Sequence, residues 1–336
     1  MENLIKYHPG FDELSGEERH LLPRTLKSIE KFIEVSAEIS HTDYATRDAH
    51  SKAYAMLKGN FKKAEALPDF LNQILTEEHY SVVLRLSHAN SVIMRSGKDS
   101  PAFGFAIKFE NIHGKEANFP LVNFPIFPVK SGADFLRFFT TLNTFLYTKQ
   151  DNFLVSAMDL PFLIKHFGKL LPGIFGWDML KNIKKILAKK DDFIASFDFY
   201  SIGVYRAGNF MMKLKVEPEV FLPRYGHTLP QKERLENYLE NHSISYILKA
   251  QFCADETLQP INNLAKEWTN APFVSLGKLT FERTGLTNPE SPENENIGYN
   301  PFDNPQELLP VGRIQQLRKK IYKTSIETRR KLNGFQ

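Results

Sequence analysis

Seven short runs rich in Val, Ile, Leu and Phe, at 53–61, 81–87, 103–109, 120–127, 209–217, 244–253 and 272–282, are set off by Gly, Pro, Asn and Asp. Runs of this length and composition read as strands, and they arrive in two groups. Helical periodicity falls before, between and after them. Residues 23–40 place Leu26, Ile29, Phe32, Ile33 and Ala37 on one face, and 131–148, 158–190 (broken near Pro172-Gly173) and 311–332 also read as helices. Strands in two groups with helices inserted between and after them predict an α+β fold, an antiparallel β-barrel with helices packed outside it. Nothing reads as an interdomain linker, so one domain is expected over 1–336. Its parts are an N-terminal helical arm (1–42), a barrel with inserted helices (43–282), a polar, proline-rich wrapping loop (283–310) and a closing helix.

Composition removes several classes of function. A net charge of +4 over 336 residues gives no basis for nucleic-acid binding. The single Cys253 excludes an internal disulfide, a CxxC redox pair, a cysteine zinc site and CxxCH haem attachment. No apolar stretch is long enough to predict a transmembrane segment, and the start, MENLIKYHPGFDELSGEER, carries charges where a signal peptide needs an apolar region. A cytoplasmic protein is the expectation. The 28 Phe and 12 Tyr suit a large core, and they also suit packing against a bulky planar cofactor.

The closing helix holds the most informative pattern. Arg318, Tyr322, Ser325 and Arg329 fall within roughly 60° of one another at 100° per residue, so one stripe carries a phenol flanked by two guanidinium groups. Ionising a free tyrosine at pH 7 costs roughly 4 kcal/mol, and a neighbouring arginine and a ferric ion can supply that. The stripe suits a tyrosinate metal ligand; taken alone, it also suits a basic surface helix with one packed tyrosine.

Other segments bear on that choice. RDAHSKAYAMLKGNF at 47–61 is followed by VVLRLS at 82–87, FGFAIKF at 103–109 and LVNFPIFPVK at 121–130. In this order they resemble the haem-binding core of the catalase superfamily, in particular its small, single-domain, catalase-related branch. The family's proximal pattern, Arg-x3-Tyr-x6-Arg, is met by Arg318, Tyr322 and Arg329. Its distal Arg-x-x-His-x-Lys is met by Arg47, His50 and Lys52, and its Arg-aromatic-Ser by Arg85 and Ser87 with Leu86 between them. Its distal asparagine, ahead of a Pro-x-Phe, is met by Asn123 and Phe127. PINNLAKEW at 260–268, PFVSLGKLTF at 272–281, YNPFD at 299–303 and the Tyr205-Arg206-Ala207-Gly208 turn extend the likeness, which runs from about residue 43 to 330 and is weak over 150–195 and 224–240.

The resemblance implies a barrel of about eight strands holding haem b with ferric iron. Tyr322 would be the axial metal ligand, with Arg318 keeping its phenol ionised. Arg47, Arg85 and Arg329 would pair with the haem propionates. His50 would move the peroxide proton, Ser87 would orient His50, Asn123 would hold the outer peroxide oxygen, and Phe127 would touch the porphyrin edge. The activity implied is that of a haem peroxidase or catalase-like oxidoreductase acting on hydrogen peroxide or an organic hydroperoxide, with an organic reductant as a second partner; a homo-oligomer stays open.

The departures keep two other functions in play. Only seven residues follow Arg329, so neither the flavodoxin-like nor the helical domain of large catalases is expected. Without them a lipid hydroperoxide could reach the haem, as in a fatty-acid hydroperoxide isomerase or lyase of the allene oxide synthase type. Ala49, before the distal histidine, lacks both the valine of typical catalases and the threonine of the allene oxide synthase branch. A non-catalytic haem-binding protein would use the same barrel. The cationic run 181–190 reads as a solvated helix face, and Met211, Met212 and Cys253 read as core.

Overall fold

Short apolar runs, several of them buried continuously, build the sheet, and its turns set the register. The computed structural model describes residues 3–93, 101–127, 129–148, 184 and 188–335. Helix α1 (Gly16–Ser40) precedes strand β1 (Ala53–Lys63), the short helix α2 (Asp69–Asn72), and strands β2 (His79–His88), β3 (Phe103–Ile112) and β4 (Lys115–Val122). Helix α3 (Gly132–Thr148) leads towards β5 (Phe199–Tyr200), β6 (Val204–Ala207) and β7 (Phe210–Pro218), then helix α4 (Gln231–Leu239), β8 (Ile244–Phe252) and β9 (Phe273–Thr287). Helix α5 (Pro292–Asn296), strand β10 (Pro310–Val311) and helix α6 (Arg313–Leu332) close the chain. The expected helix over 158–190 and the cationic run 181–190 lie outside the described residues, apart from 184 and 188–190.

Eight strands close an antiparallel barrel in the order β1-β2-β3-β4-β5-β7-β8-β9, β9 returning to β1. Short β5 and β6 share one edge of β7, and β10 extends the sheet from β6. The interior is aromatic. Phe61 meets Phe109 edge-on at 5.2 Å, and Phe105 meets Tyr246 in the same way at 5.0 Å. Each such pair contributes about 0.5–1.5 kcal/mol beyond the area it buries.

Two boundaries differ from those expected. The fourth strand lies at 115–122 rather than 120–127, because His113 (φ +52°) and Gly114 (φ +78°) turn the chain tightly after β3. Two successive left-handed residues match the right-handed twist of a hairpin, and the strand restarts at once. Asn123 to Phe127 then leave the sheet. The first helix starts at Gly16, seven residues before Pro23, because Ser15 and Glu18 form a reciprocal capping box of 3.2 and 2.7 Å. Strand β9 also runs to Thr287, into the segment read as loop, pairing Leu286 and Thr287 with Leu57 and Met56.

Helices α1, α3 and α6 pack together outside the barrel. Thr25 and Thr140 join α1 to α3 through a buried 2.7 Å hydroxyl contact, and Ile314 and Leu317 of α6 sit in an apolar cluster with Leu22, Phe135 and Leu136. Helix α6 is fixed at both ends. Gly312, at φ +102°, donates its N–H to Asp12 at 2.6 Å, and Arg313 donates to Asn262 at 2.7 Å. At the other end the Asn333 amide accepts from the Ala45 N–H at 2.7 Å and donates to the Ala45 carbonyl at 3.0 Å. That clamp docks the chain just ahead of Arg47 against the last turn of α6.

Candidate functional site

Between the barrel wall and α6 lies a cavity with about 1320 Å³ of empty space, its open mouth included. The segment 47–50, strands β2 to β4 and the stripe of α6 all reach it. His50, Arg47, Arg85, Ser87, Phe127, Arg318, Tyr322 and Arg329 line its walls, so residues 279 positions apart in Arg329 and His50 face one space. Asn123 is not among the lining residues.

His50 takes a left-handed backbone conformation (φ +57°), which turns its ring from the end of the approach segment onto the barrel wall. Its Nδ1 meets Ser87 Oγ at 3.2 Å. Gly104, opposite Ser87 in the β2–β3 register, leaves room for that ring: a Cβ there would stand 2.5 Å from Nδ1. Burial, with the nearby cations Arg85, Arg47 and Arg318 and the His88 ring, pushes the His50 pKa down to about 3. The imidazole is therefore neutral at pH 7.

On the facing helix, Arg318 Nη2 donates to the Tyr322 phenol oxygen at 2.7 Å and Nη1 donates to Gln315 Oε1 at 2.7 Å. Ser325 donates to buried Asp48 at 2.5 Å and accepts from Arg329 at 2.8 Å, joining the approach segment to the stripe. Burial raises the Asp48 pKa, with Ser325 and Arg329 opposing.

The three remaining arginines surround a carboxylate of the chain itself. Glu295 Oε2 accepts from Arg47 Nε at 2.9 Å and lies 3.7 Å from Arg329 Nε, and its Oε1 lies 3.6 Å from Arg85 Nη2. Burial opposes ionisation of Glu295, but Arg47, Arg85 and Arg329 hold its pKa below the usual carboxylate range. Arg47 Nη2 also donates to the carbonyls of Asn294, Glu295 and Ile297. Arg329 Nε is buried and, with Glu295 Oε2 at 3.7 Å, makes no hydrogen bond among the described residues.

Other expected site residues stand differently. The Asn123 side chain is engaged with backbone, accepting from Phe103 N–H at 2.8 Å and donating to the Pro101 carbonyl at 2.7 Å, which pins the start of β3 beside Gly104. Lys52 sits over the Tyr54 ring at 5.4 Å. Phe127 packs with Phe135 and Phe139 along an apolar wall. Glu295, Asp48 and Gly104 were not expected at the site. A glycine inside the apolar run FGFAIKF was the available signal for Gly104, since such a glycine marks a close approach; three arginines meant for one acidic group were the signal that a counter-charge was needed.

The chain has a catalase-like fold. It superposes on a fungal catalase over 88% of this chain and 62% of that one, with a TM-score of 0.59 and 16% identity. A bacterial catalase aligns over 90% and 62% (TM-score 0.59, 16% identity), and catalase A from Saccharomyces cerevisiae over 87% and 63% (TM-score 0.60, 14% identity). The chain thus spans under two thirds of the length of these enzymes. No protein-family model matches it, and no curated protein sequence does. Among the described residues no helix is long and apolar enough to cross a membrane, and no three His, Cys, Asp or Glu side chains converge as a metal site.

Proposed function

We propose that this protein is a haem b-dependent hydroperoxidase, reducing hydrogen peroxide or an organic hydroperoxide in the cavity between the barrel and α6. The observation that carries the reading is that a neutral imidazole, His50, and a phenol held by an arginine, Tyr322, line the same cavity. The residues present suit the cofactor: the Arg318–Tyr322 pair offers a phenol oxygen that already accepts from a guanidinium, and the buried Arg329 Nε has a hydrogen bond still to make among the described residues. Tyr322 would hold the metal, and Arg85 and Arg329 the acidic edge. When bound, ferric haem would supply the redox equivalents for cleaving the O–O bond.

The chain's own work is proton handling and alignment. His50, neutral at pH 7, takes the proton from a hydroperoxide at one ring nitrogen and returns it to the departing oxygen. Ser87, in contact with Nδ1, and Gly104, close to Nδ1 and Cε1, keep the imidazole in one orientation. Asn123 positions the wall behind that ring. Arg318 donates to the Tyr322 oxygen, a bond that would strengthen if that oxygen held the metal as a phenolate.

The apolar wall of Phe105, Phe127, Phe135 and Phe139, beside the small Ala49, favours hydroperoxides larger than hydrogen peroxide. That wall also supports the second reading, rearrangement of a fatty-acid hydroperoxide without a reductant. The test is reconstitution with hemin, an absorption spectrum, and peroxide addition with oxygen and product analysis. Oxygen or an oxidised donor supports hydroperoxidase action, an epoxide or ketol supports the isomerase, and bound haem with no turnover of any peroxide overturns both.

A further inference from the structure

Three guanidinium groups and one buried carboxylate make an unusual seat for an acidic ligand. Arg47, Arg85 and Arg329 are all buried, and Glu295 is the carboxylate that all three approach, at 2.9 to 3.7 Å. Their positive charge exceeds what Glu295 can balance. Burial, with mutual repulsion from Arg47, pushes the Arg85 pKa down to about 9 and that of Arg329 to about 10. Asp48, which also acts on Arg329, is itself driven towards its neutral form by burial.

The three arginines are not equivalent. Arg47 is spent on the chain: its Nε bonds Glu295, and its Nη2 faces the carbonyls of Asn294, Glu295 and Ile297 at the end of α5. Arg85 makes one hydrogen bond, to the Ser51 carbonyl at 3.2 Å, besides its ion pair with Glu295. Arg329 donates from Nη1 to Ser325 at 2.8 Å and from Nη2 to the Glu295 carbonyl at 3.3 Å, while its buried Nε, 3.7 Å from Glu295 Oε2, makes no hydrogen bond among the described residues. Arg85 and the Arg329 Nε therefore keep donor capacity that the described residues do not use, and Arg47 is a strap for α5.

We propose that Glu295 is the specificity-determining residue of this seat: it occupies Arg47 as a built-in carboxylate and competes with the acidic edge of the ligand for Arg85 and Arg329. This rests on the haem reading above, and it assigns Arg47 to Glu295 rather than to the ligand. A ligand carboxylate must share the seat with Glu295, so the native protein prefers a porphyrin diacid over its neutral diester by less than the three arginines would give without Glu295.

The experiment compares the wild-type chain with Glu295→Gln, which keeps the shape and removes the charge. Hemin and hemin dimethyl ester are titrated by the shift of the Soret band, and succinate is titrated by thermal unfolding. The expected result is wild-type affinities for the two hemins within about tenfold, at least a tenfold gain for hemin but not for the diester in Glu295→Gln, and stabilisation of that variant by succinate. A wild-type preference of a hundredfold or more for hemin over the diester overturns the proposal, and this arm needs no variant to fold. Unchanged or weaker hemin binding by folded Glu295→Gln, with no succinate response, overturns it as well. If neither hemin binds any form while succinate still stabilises Glu295→Gln, the haem reading falls and the competition by Glu295 stands.

Discussion

The imidazole of His50 fills the space that a side chain at Gly104 would occupy. A Cβ on residue 104 would lie 2.5 Å from Nδ1, 2.7 Å from Cε1 and 2.7 Å from Ser87 Oγ. Backbone freedom is not what the glycine provides, because residue 104 is an ordinary strand position paired with Ser87 and Val122. Its missing side chain is the feature used. Gly104→Ala is expected to expel the ring, at an overpacking cost of about 1–3 kcal/mol. Peroxide turnover should fall at least tenfold while the chain still folds, whereas Ser87→Ala, which removes one hydrogen bond and leaves the space, should fall less. Steady-state rates and denaturant midpoints of the two variants provide the check.

His50 also sets a pH dependence. Its folded pKa near 3 lies below the ordinary value of 6.5, so between those limits the unfolded chain binds the extra proton. Stability is therefore full above about pH 6.5 and declines as pH falls towards 3, by an amount on the order of a few kcal/mol. Glu295, held low by its arginines, adds a loss of the same sign at lower pH, and Asp48, raised by burial, opposes it. His50→Gln should flatten the upper part of this acid limb, seen as a smaller difference in urea midpoint between pH 7.5 and 4.5. For the same reason, peroxide turnover by the wild type should show no inflection near pH 6.5.

The pairing of Arg318 with Tyr322 yields a prediction about retention. Hydrogen bonds to charged groups contribute about 1.5–3 kcal/mol, which corresponds to roughly 10- to 150-fold in affinity. Arg318→Leu should release hemin to a scavenging apoprotein faster by a factor within that range. Tyr322→Phe should impair retention further and change the absorption spectrum, because it removes the oxygen itself. Equal retention by Tyr322→Phe and wild type would exclude Tyr322 as the ligand.

Much of this arrangement was legible in the chain. The stripe Arg318-Tyr322-Ser325-Arg329 follows from helical geometry alone, and the short runs rich in Val, Ile, Leu and Phe announced a barrel, whose core includes Phe61, Phe105 and Phe109. What stayed hidden depends on partners far away in the sequence. Glu295 sits in a polar, proline-rich stretch 248 residues from Arg47, and only the closed fold makes it a buried counter-charge. The start of β4 depends on the left-handed pair His113-Gly114, a turn signal overshadowed by the denser apolar run LVNFPIF. Asn123 has the sequence context of a ligand-facing amide, yet two backbone groups engage it. The capping box at Ser15 and Glu18 was readable, but Pro23 drew the helix start towards itself.

The Asn333–Ala45 clamp turns helix position into site geometry. Asn333 caps α6, its own N–H bonding the Arg329 carbonyl, and its amide holds both backbone groups of Ala45 at 2.7 and 3.0 Å. Ala45 lies five residues before His50, and Asn333 lies eleven after Tyr322. The clamp thus couples the two walls of the cavity without touching its contents. Asn333→Ala removes both bonds and should cost about 1–3 kcal/mol of stability, with faster hydrogen exchange at the Ala45 amide. Asn333→Asp keeps the acceptor for the Ala45 N–H and loses the donor to its carbonyl, so its loss should be intermediate. If the clamp sets the spacing between His50 and Tyr322, hemin affinity should fall in the same order, wild type above Asp above Ala, at a temperature where all three remain folded. Hemin affinities that stay equal while stability falls would reduce the clamp to a helix cap.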